Sequence, residues 1–105
     1  MTKPLIVDGH EDLAYNAVFM GRDPSLAAEA KRLDVSPARG GTPMVGIPNL
    51  LQGNVRVVFA TLYANPATNK HAPPGHAYTT PEEAETQARE QLAYYTNLAD
   101  RKSVV

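Results

Sequence analysis

Two apolar runs dominate the hydrophobic pattern and predict buried β-strands. Residues 5–8 form a short apolar run at the start of the sequence, and residues 55–63 form a longer run of β-branched and aromatic side chains. Continuous apolar runs of this length are typical of parallel strands that are covered on both faces. Gly9 would let the chain leave the first strand sharply. We therefore expect two fully buried strands.

Helical spacing follows the first predicted strand. Residues 12–20 carry apolar side chains three and four positions apart, and Gly21 is a typical helix stop. A second helix is predicted over residues 25–33, because Asp23 and Pro24 resemble a helix cap followed by a proline in the first turn.

The second half of the chain predicts a short helical turn, a long loop and a long helix. The turn covers residues 48–52, and the loop covers residues 64–79, with three prolines and two histidines. Residues 80–83 form a capping box with a proline inside it, which indicates a helix start. That helix has a predicted packing stripe of Ala84, Ala88, Leu92, Tyr95 and Leu98.

The order strand, helices, strand, helix predicts an α/β fold with a parallel sheet. A (β/α)8 TIM barrel needs eight strands and roughly 250 residues. Residues 1–105 would therefore form one partial domain, the N-terminal portion of such a barrel, with its first two strands and their helices. We expect the chain to be a fragment of a longer protein.

Composition excludes several classes of function. The formal net charge is -1 and the ten Lys and Arg are scattered, so nucleic acid is not an expected partner. No apolar run reaches the roughly 18 residues of a transmembrane segment. The apolar run near the N-terminus is too short for the core of a signal peptide, and this favours a cytoplasmic location. Without cysteine, a metal site must use His, Asp and Glu, which suits zinc or another divalent ion.

The pattern His10-x-Asp12 follows the first predicted strand. Side chains two apart on a strand share a face, so Asp8, His10 and Asp12 are expected to point the same way. At the carboxyl end of a barrel strand, that face lines the active site. His10 and Asp12 would bind a metal, and Asp8 would orient a ligand from one layer deeper. The residues leave an alternative open, in which Asp12 only caps the next helix and His10 is a loop histidine.

Other polar and aromatic residues are candidates for lining a pocket. Tyr63 and Asn65 end the second predicted strand, and His71 and His76 lie in the loop that follows. The alternatives are a tyrosine packed under a helix and two exposed loop histidines. Arg56 is expected at the opposite end of the strand, where residues stabilise a barrel.

Several segments resemble the membrane dipeptidase family, also called renal dipeptidases. Residues 5–13, Leu-Ile-Val-Asp-Gly-His-Glu-Asp-Leu, are similar to that family's opening pattern of apolar residues followed by Asp-Gly-His-Asn-Asp-Leu. Residues 47–55 and 57–63 resemble the family's approach to its second strand and that strand. The helix from Pro81 stands where the family's next helix lies. The chain differs at Glu11, where Asn is usual; we expect that side chain to point away from the metal.

The resemblance implies a binuclear zinc peptidase on an amidohydrolase-type barrel. Such an enzyme hydrolyses dipeptides through a metal-activated water, with two Zn²⁺ in a complete site. His10 and Asp12 match the family's two ligands from the first strand. The bridging glutamate, the histidines of the second ion and a late acidic residue would lie beyond residue 105, so the fragment alone is expected to be inactive. The complete protein could form a homodimer.

Two rival interpretations remain. One is another amidohydrolase-type metal hydrolase acting on a different amide or ester, although most such relatives open with His-x-His. The other is a non-catalytic, truncated or degenerate protein. Whichever interpretation holds, we expect the chain expressed alone to be insoluble, self-associating or molten, because the strand over residues 55–63 would have an open edge and uncovered faces.

Overall fold

A computed structural model describes residues 4–33, 42–70 and 76–100 of the chain. Within them lie two parallel sheets of two strands each, together with four helices. The elements, in chain order, are β1 (Ile6–Glu11), α1 (Leu13–Met20), α2 (Ala28–Lys31), α3 (Ile47–Gln52), β2 (Val55–Ala60), β3 (Asn65–Pro66), β4 (Ala77–Tyr78) and α4 (Pro81–Asp100).

Strands β1 and β2 pair in parallel, as the alternation of strands and helices predicts. Asp8 lies opposite Val58, and Glu11 lies opposite Ala60, so three steps along β1 match two steps along β2. This extra residue is a β-bulge, which bends a strand and redirects its side chains. Because the strands are parallel, their carboxyl ends lie together at one edge of the sheet. The bulge means that the side chains of β1 do not alternate strictly between the two faces.

The prediction that both strands are fully buried is wrong for the described residues. Val7 is 51% exposed and Phe59 is 63% exposed. A sheet of two strands has too few neighbours to cover both of its faces. Strand β2 also ends at Ala60 rather than at residue 63, because β1 offers its last backbone partner, the Glu11 carbonyl, to the N–H of Thr61.

Helix α1 follows its prediction closely. It ends at Gly21, which has a left-handed φ of 65° and donates its N–H to the Asn16 carbonyl. Leu13, Ala14 and Phe19 are its buried residues, and the helix packs against α4.

Helix α2 is much shorter than the predicted helix over residues 25–33. The Asp23 carboxylate accepts hydrogen bonds from the N–H and the hydroxyl of Ser25, at 2.9 and 2.7 Å. These are the bonds of a capping aspartate, and they begin a single turn that the Leu26 N–H closes by donating to the Asp23 carbonyl at 3.2 Å, but the turn does not continue as a helix. Next, Leu26 lies so close to Gly46 that any Cβ there would clash with the Leu26 carbonyl oxygen. The first helical residues therefore come only after this contact.

Helix α4 begins with half of the predicted capping box. The Thr80 hydroxyl accepts the N–H of Glu83 at 3.2 Å, but the Glu83 carboxylate accepts the N–H of Thr79 rather than that of Thr80. Its packing stripe differs from the prediction. Leu92 is 54% exposed, whereas Gln87 and Gln91 are the buried residues of the helix. The reason is that this face of α4 packs against the backbone of the segment after β2. Buried backbone N–H and C=O groups need hydrogen-bonding partners, which the glutamine side chains provide.

The predicted loop over residues 64–79 contains two short strands. Asn65 pairs with Ala77 and Pro66 pairs with Tyr78, both in parallel. His71 lies outside the described residues. No helix in the described part of the chain is long and apolar enough to span a membrane.

Candidate metal site

His10 and Asp12 come together at the carboxyl end of β1. The Nε2 atom of His10 lies 3.2 Å from the Oδ1 atom of Asp12. Both side chains are open to solvent, with exposed fractions of 71% and 43%. The expectation that these two side chains converge on one position therefore agrees with the structure.

The distance between the two donor atoms fits two ligands of one zinc ion. Zinc binds imidazole nitrogen and carboxylate oxygen at about 2.0–2.2 Å, so neighbouring ligands of a tetrahedral ion are about 3.4 Å apart. The His10–Asp12 separation is close to this value, and it also suits an ordinary His–Asp ion pair. Among residues 4–33, 42–70 and 76–100, no set of three or more His, Asp and Glu is placed to hold a metal. The described chain thus brings two potential metal ligands, His10 and Asp12, together.

Asp12 does not cap helix α1 with its side chain. It occupies the cap position, but its carboxylate makes no hydrogen bond to the first turn. Instead, Oδ1 accepts a hydrogen bond from the Thr61 hydroxyl and faces the His10 ring. The alternative in which Asp12 serves only as a cap is therefore not what the structure shows.

Two further residues support Asp12, and sequence reasoning assigned neither to the site. Thr61 directly follows β2, and its N–H donates to the Glu11 carbonyl at 3.0 Å. The Tyr95 hydroxyl donates to the Thr61 carbonyl at 2.8 Å and accepts the N–H of Ala14 at 3.1 Å. The predicted parallel pairing could have identified Thr61, because it places the residue that follows β2 beside the residue that follows β1, which is Asp12.

Asp8 contacts His10, but through the backbone. Its Oδ1 accepts the backbone N–H of His10 at 3.1 Å. Asp8 was predicted to orient a metal ligand, but it makes no hydrogen bond to the imidazole ring in this arrangement. The Asp8 carboxylate instead interacts with the Glu11 side chain. A hydrogen bond from the Glu11 side chain lowers the pKa of Asp8, and the N–H of His10 lowers it further.

Glu11 is the member of this carboxyl pair whose pKa is raised. Burial raises its pKa to about 7, with contributions from the hydrogen bond to Asp8 and from the negative charges of Asp8 and Asp12. Near neutral pH, the Glu11 carboxyl is therefore about half protonated, whereas the lowered pKa of Asp8 keeps that carboxylate ionised. The site therefore gathers less negative charge than its acidic residues suggest.

Tyr63 and His76, two of the predicted pocket residues, belong to an aromatic cluster on α1. The Tyr63 ring meets Tyr15 edge to face at 5.5 Å, and the His76 ring stacks on Phe19 at 4.7 Å. Tyr15 and Phe19 are themselves 5.4 Å apart, edge to face. These contacts indicate packing, and within the described chain His76 joins no metal-binding group.

Asn65 and Arg56 have structural partners. Asn65 is completely buried; its N–H donates to Gln87 at 3.0 Å, and its side-chain amide donates to the Tyr15 hydroxyl at 3.0 Å. Arg56 lies near the start of β2, away from the carboxyl end of the sheet, and donates to Asn54 at 2.9 Å. Neither contact reaches His10 or Asp12.

An open apolar groove of about 280 Å³ lies between α3, β2 and α4. Leucine, isoleucine, valine and alanine side chains make up most of its lining, with Tyr95 and Arg56 among them. His10 and Asp12 do not line it. The groove is thus separate from the candidate metal site.

No protein-family model, no curated protein and no solved structure matches this chain. The resemblance to the membrane dipeptidase family therefore rests on the sequence segments that carry it.

Proposed function

We propose that this chain forms the opening β/α units of a metal-dependent dipeptidase in which His10 and Asp12 bind one of two zinc ions. One observation carries the proposal. The Asp12 carboxylate turns away from the helix that it could cap, and it lies 3.2 Å from the His10 imidazole at the shared carboxyl end of β1 and β2. In α/β folds, ligands bind outside the carboxyl ends of parallel strands.

The chemistry of the donors suits this role. A neutral imidazole and a carboxylate are common zinc ligands, and a carboxylate that ligates a metal is usually hydrogen-bonded by a second group. Thr61 is such a group for Asp12. When bound, zinc supplies the Lewis acidity that activates water for amide hydrolysis. The exposure of both ligands leaves room for substrate and for further ligands.

The substrate class comes from the resemblance. Residues 5–13, 47–55 and 57–63 follow the dipeptidase order, and the motif is His-x-Asp rather than the His-x-His of most other amidohydrolases. Under this proposal, the remaining zinc ligands belong to further β/α units of the same protein. The same units would complete the barrel and cover the exposed faces of β1 and β2.

The test is hydrolysis by the protein expressed from its complete reading frame. We expect it to release amino acids from a panel of dipeptides, including some with a D-residue at the C-terminus. Activity should disappear with a chelator and return with Zn²⁺. His10→Ala and Asp12→Ala should each lose one of the two zinc ions, and activity with it. His76→Ala is the matched control, because His76 stacks on Phe19 and should leave both unchanged.

Three results would contradict the proposal. A zinc-loaded protein that cleaves no dipeptide would refute the dipeptidase function. Cleavage of other amides or esters instead would support the rival metal hydrolase. A His10→Ala protein with unchanged zinc content and rate would refute the ligand assignment.

A further inference from the structure

We propose that Thr61 and Tyr95 are positioning residues that free the Asp12 carboxylate from helix capping and aim it at the metal. The inference rests on the proposed metal site and adds two residues to it. Neither residue contacts the metal in this account. Each acts through Asp12.

Tyr95 replaces Asp12 as the cap of α1. Asp12 holds the cap position, and Ala14 is the second residue of the helix. The N–H of that second residue is one that a capping aspartate normally binds. Here it donates to the Tyr95 hydroxyl at 3.1 Å. Ala14 is completely buried, so its N–H needs a partner. The Tyr95 hydroxyl is that partner, so the Asp12 carboxylate is free to make other interactions.

Thr61 then fixes the direction of the released carboxylate. Its hydroxyl reaches Oδ1 of Asp12, the same oxygen that faces His10. The hydroxyl donates one proton to Oδ1, and a carboxylate oxygen has a second lone pair that remains available. Oδ1 can therefore keep the bond from Thr61 while it binds a metal.

The two residues form one connected arrangement. Tyr95 donates to the Thr61 carbonyl at 2.8 Å, and the N–H of Thr61 donates to the Glu11 carbonyl at 3.0 Å. Helix α4 thereby holds the end of β2 against the end of β1. Removal of the Tyr95 hydroxyl would leave the Ala14 N–H unpaired, and Asp12 is the nearby side chain whose position suits capping it. The carboxylate would then rotate away from His10.

The test compares zinc affinities of the full-length protein by calorimetric titration after chelator treatment. Thr61→Val and Tyr95→Phe should weaken zinc binding by about 10- to 100-fold, the usual effect of losing a partner of a metal ligand. Thr61→Ser keeps the hydroxyl and should bind zinc nearly as well as the wild type. Thr96→Val is the matched control, because it removes an exposed hydroxyl that bonds only to the Leu92 carbonyl among the described residues.

Thermal melts of the metal-free variants separate positioning from folding. A variant that melts with the wild type but binds zinc weakly supports the proposal. Equal affinities for Thr61→Ser and Thr61→Val would overturn it, because the hydroxyl would then have no effect. Wild-type affinity in both Thr61→Val and Tyr95→Phe would also overturn it.

The same titration distinguishes this inference from the proposed function. If the wild type binds no zinc, or if His10→Ala binds it equally well, the proposed metal site itself is wrong. If zinc binding depends on His10 but not on Thr61 or Tyr95, the site stands and only the positioning role fails.

Discussion

The side-chain amide of Gln91 binds both backbone groups of Tyr63. Its Oε1 atom accepts the N–H of Tyr63 at 2.9 Å, and its Nε2 atom donates to the Tyr63 carbonyl at 2.5 Å. Gln91 is completely buried, so this pair of bonds lies between α4 and the chain that leaves β2. A glutamine amide here does what the backbone of a neighbouring strand would do.

The pattern repeats along the helix at matching intervals. Gln87 accepts the N–H of Asn65, and Tyr95 donates to the Thr61 carbonyl. Residues four apart on a helix advance about 6 Å, and residues two apart in an extended chain advance about 6.6 Å. Positions 87, 91 and 95 of α4 can therefore meet residues 65, 63 and 61 in turn. The helix fixes the segment that ends beside Asp12.

Replacing Gln91 with methionine tests this arrangement for stability. Gln91→Met keeps the length of the side chain but removes both bonds to Tyr63, and it should lower the free energy of unfolding by about 1–3 kcal/mol. Urea denaturation of the full-length protein, as wild type and as Gln91→Met, measures the change in the free energy of unfolding. Glu90→Met places the same new side chain at the neighbouring exposed position and should change stability little. Equal unfolding midpoints for wild type and Gln91→Met would refute the role of these bonds.

Part of the fold follows from hydrophobic spacing. Helix α1 with its stop at Gly21, the short α3 and the start of α4 lie within a few residues of their predicted positions. The first strand begins as predicted, but it continues through Gly9 to Glu11 instead of ending at residue 8. The inward stripe of α4 could not be predicted in this way. Apolar spacing identifies a face that packs on side chains, whereas Gln87 and Gln91 meet backbone. Only the path of the chain after β2 shows why glutamine is buried there.

The site was predictable to a similar degree. The spacing of His10 and Asp12 led to the expectation that their side chains meet, and they do. The same reasoning placed Asp8 on their face, but the bulge between Asp8 and Glu11 breaks the alternation. A bulge leaves no clear trace in a sequence of this kind. Thr61 lies 49 positions from Asp12, so its contact depends on the register of two strands.

Glu11 should make the stability of the metal-free protein depend on pH. Its pKa is raised from 4.5 to about 7 in the folded state, so the folded protein holds a proton that the unfolded chain releases at lower pH. The free energy of unfolding should fall as the pH rises through this window. Glu11→Gln cannot ionise and should remove that part of the decrease.

Urea denaturation at about pH 5 and about pH 8, with a chelator present, measures this effect. Glu90→Gln, at an exposed position on α4, is the control for loss of one negative charge. If Glu11→Gln shows the same change with pH as the wild type, the pKa of Glu11 is not raised in the folded protein.

The exposed apolar residues of β2 should make the 105-residue chain self-associate when it is expressed alone. Val57 and Phe59 are 47% and 63% exposed and lie two apart on the strand. An uncovered apolar strand readily pairs with another copy. Phe59→Lys should shift sedimentation profiles towards the monomer. Leu92→Lys changes a similarly exposed leucine, 54%, on a helix and should have less effect. A wild-type chain that remains monomeric at high concentration would contradict this expectation.

The location of zinc in crystals of the full-length protein tests the central claim most directly. Data collected on either side of the zinc absorption edge show where the metal scatters. We expect a zinc peak about 2.0–2.2 Å from both the Nε2 atom of His10 and a carboxylate oxygen of Asp12. Zinc bound at other residues, with His10 and Asp12 still joined only to each other and to Thr61, would contradict the account.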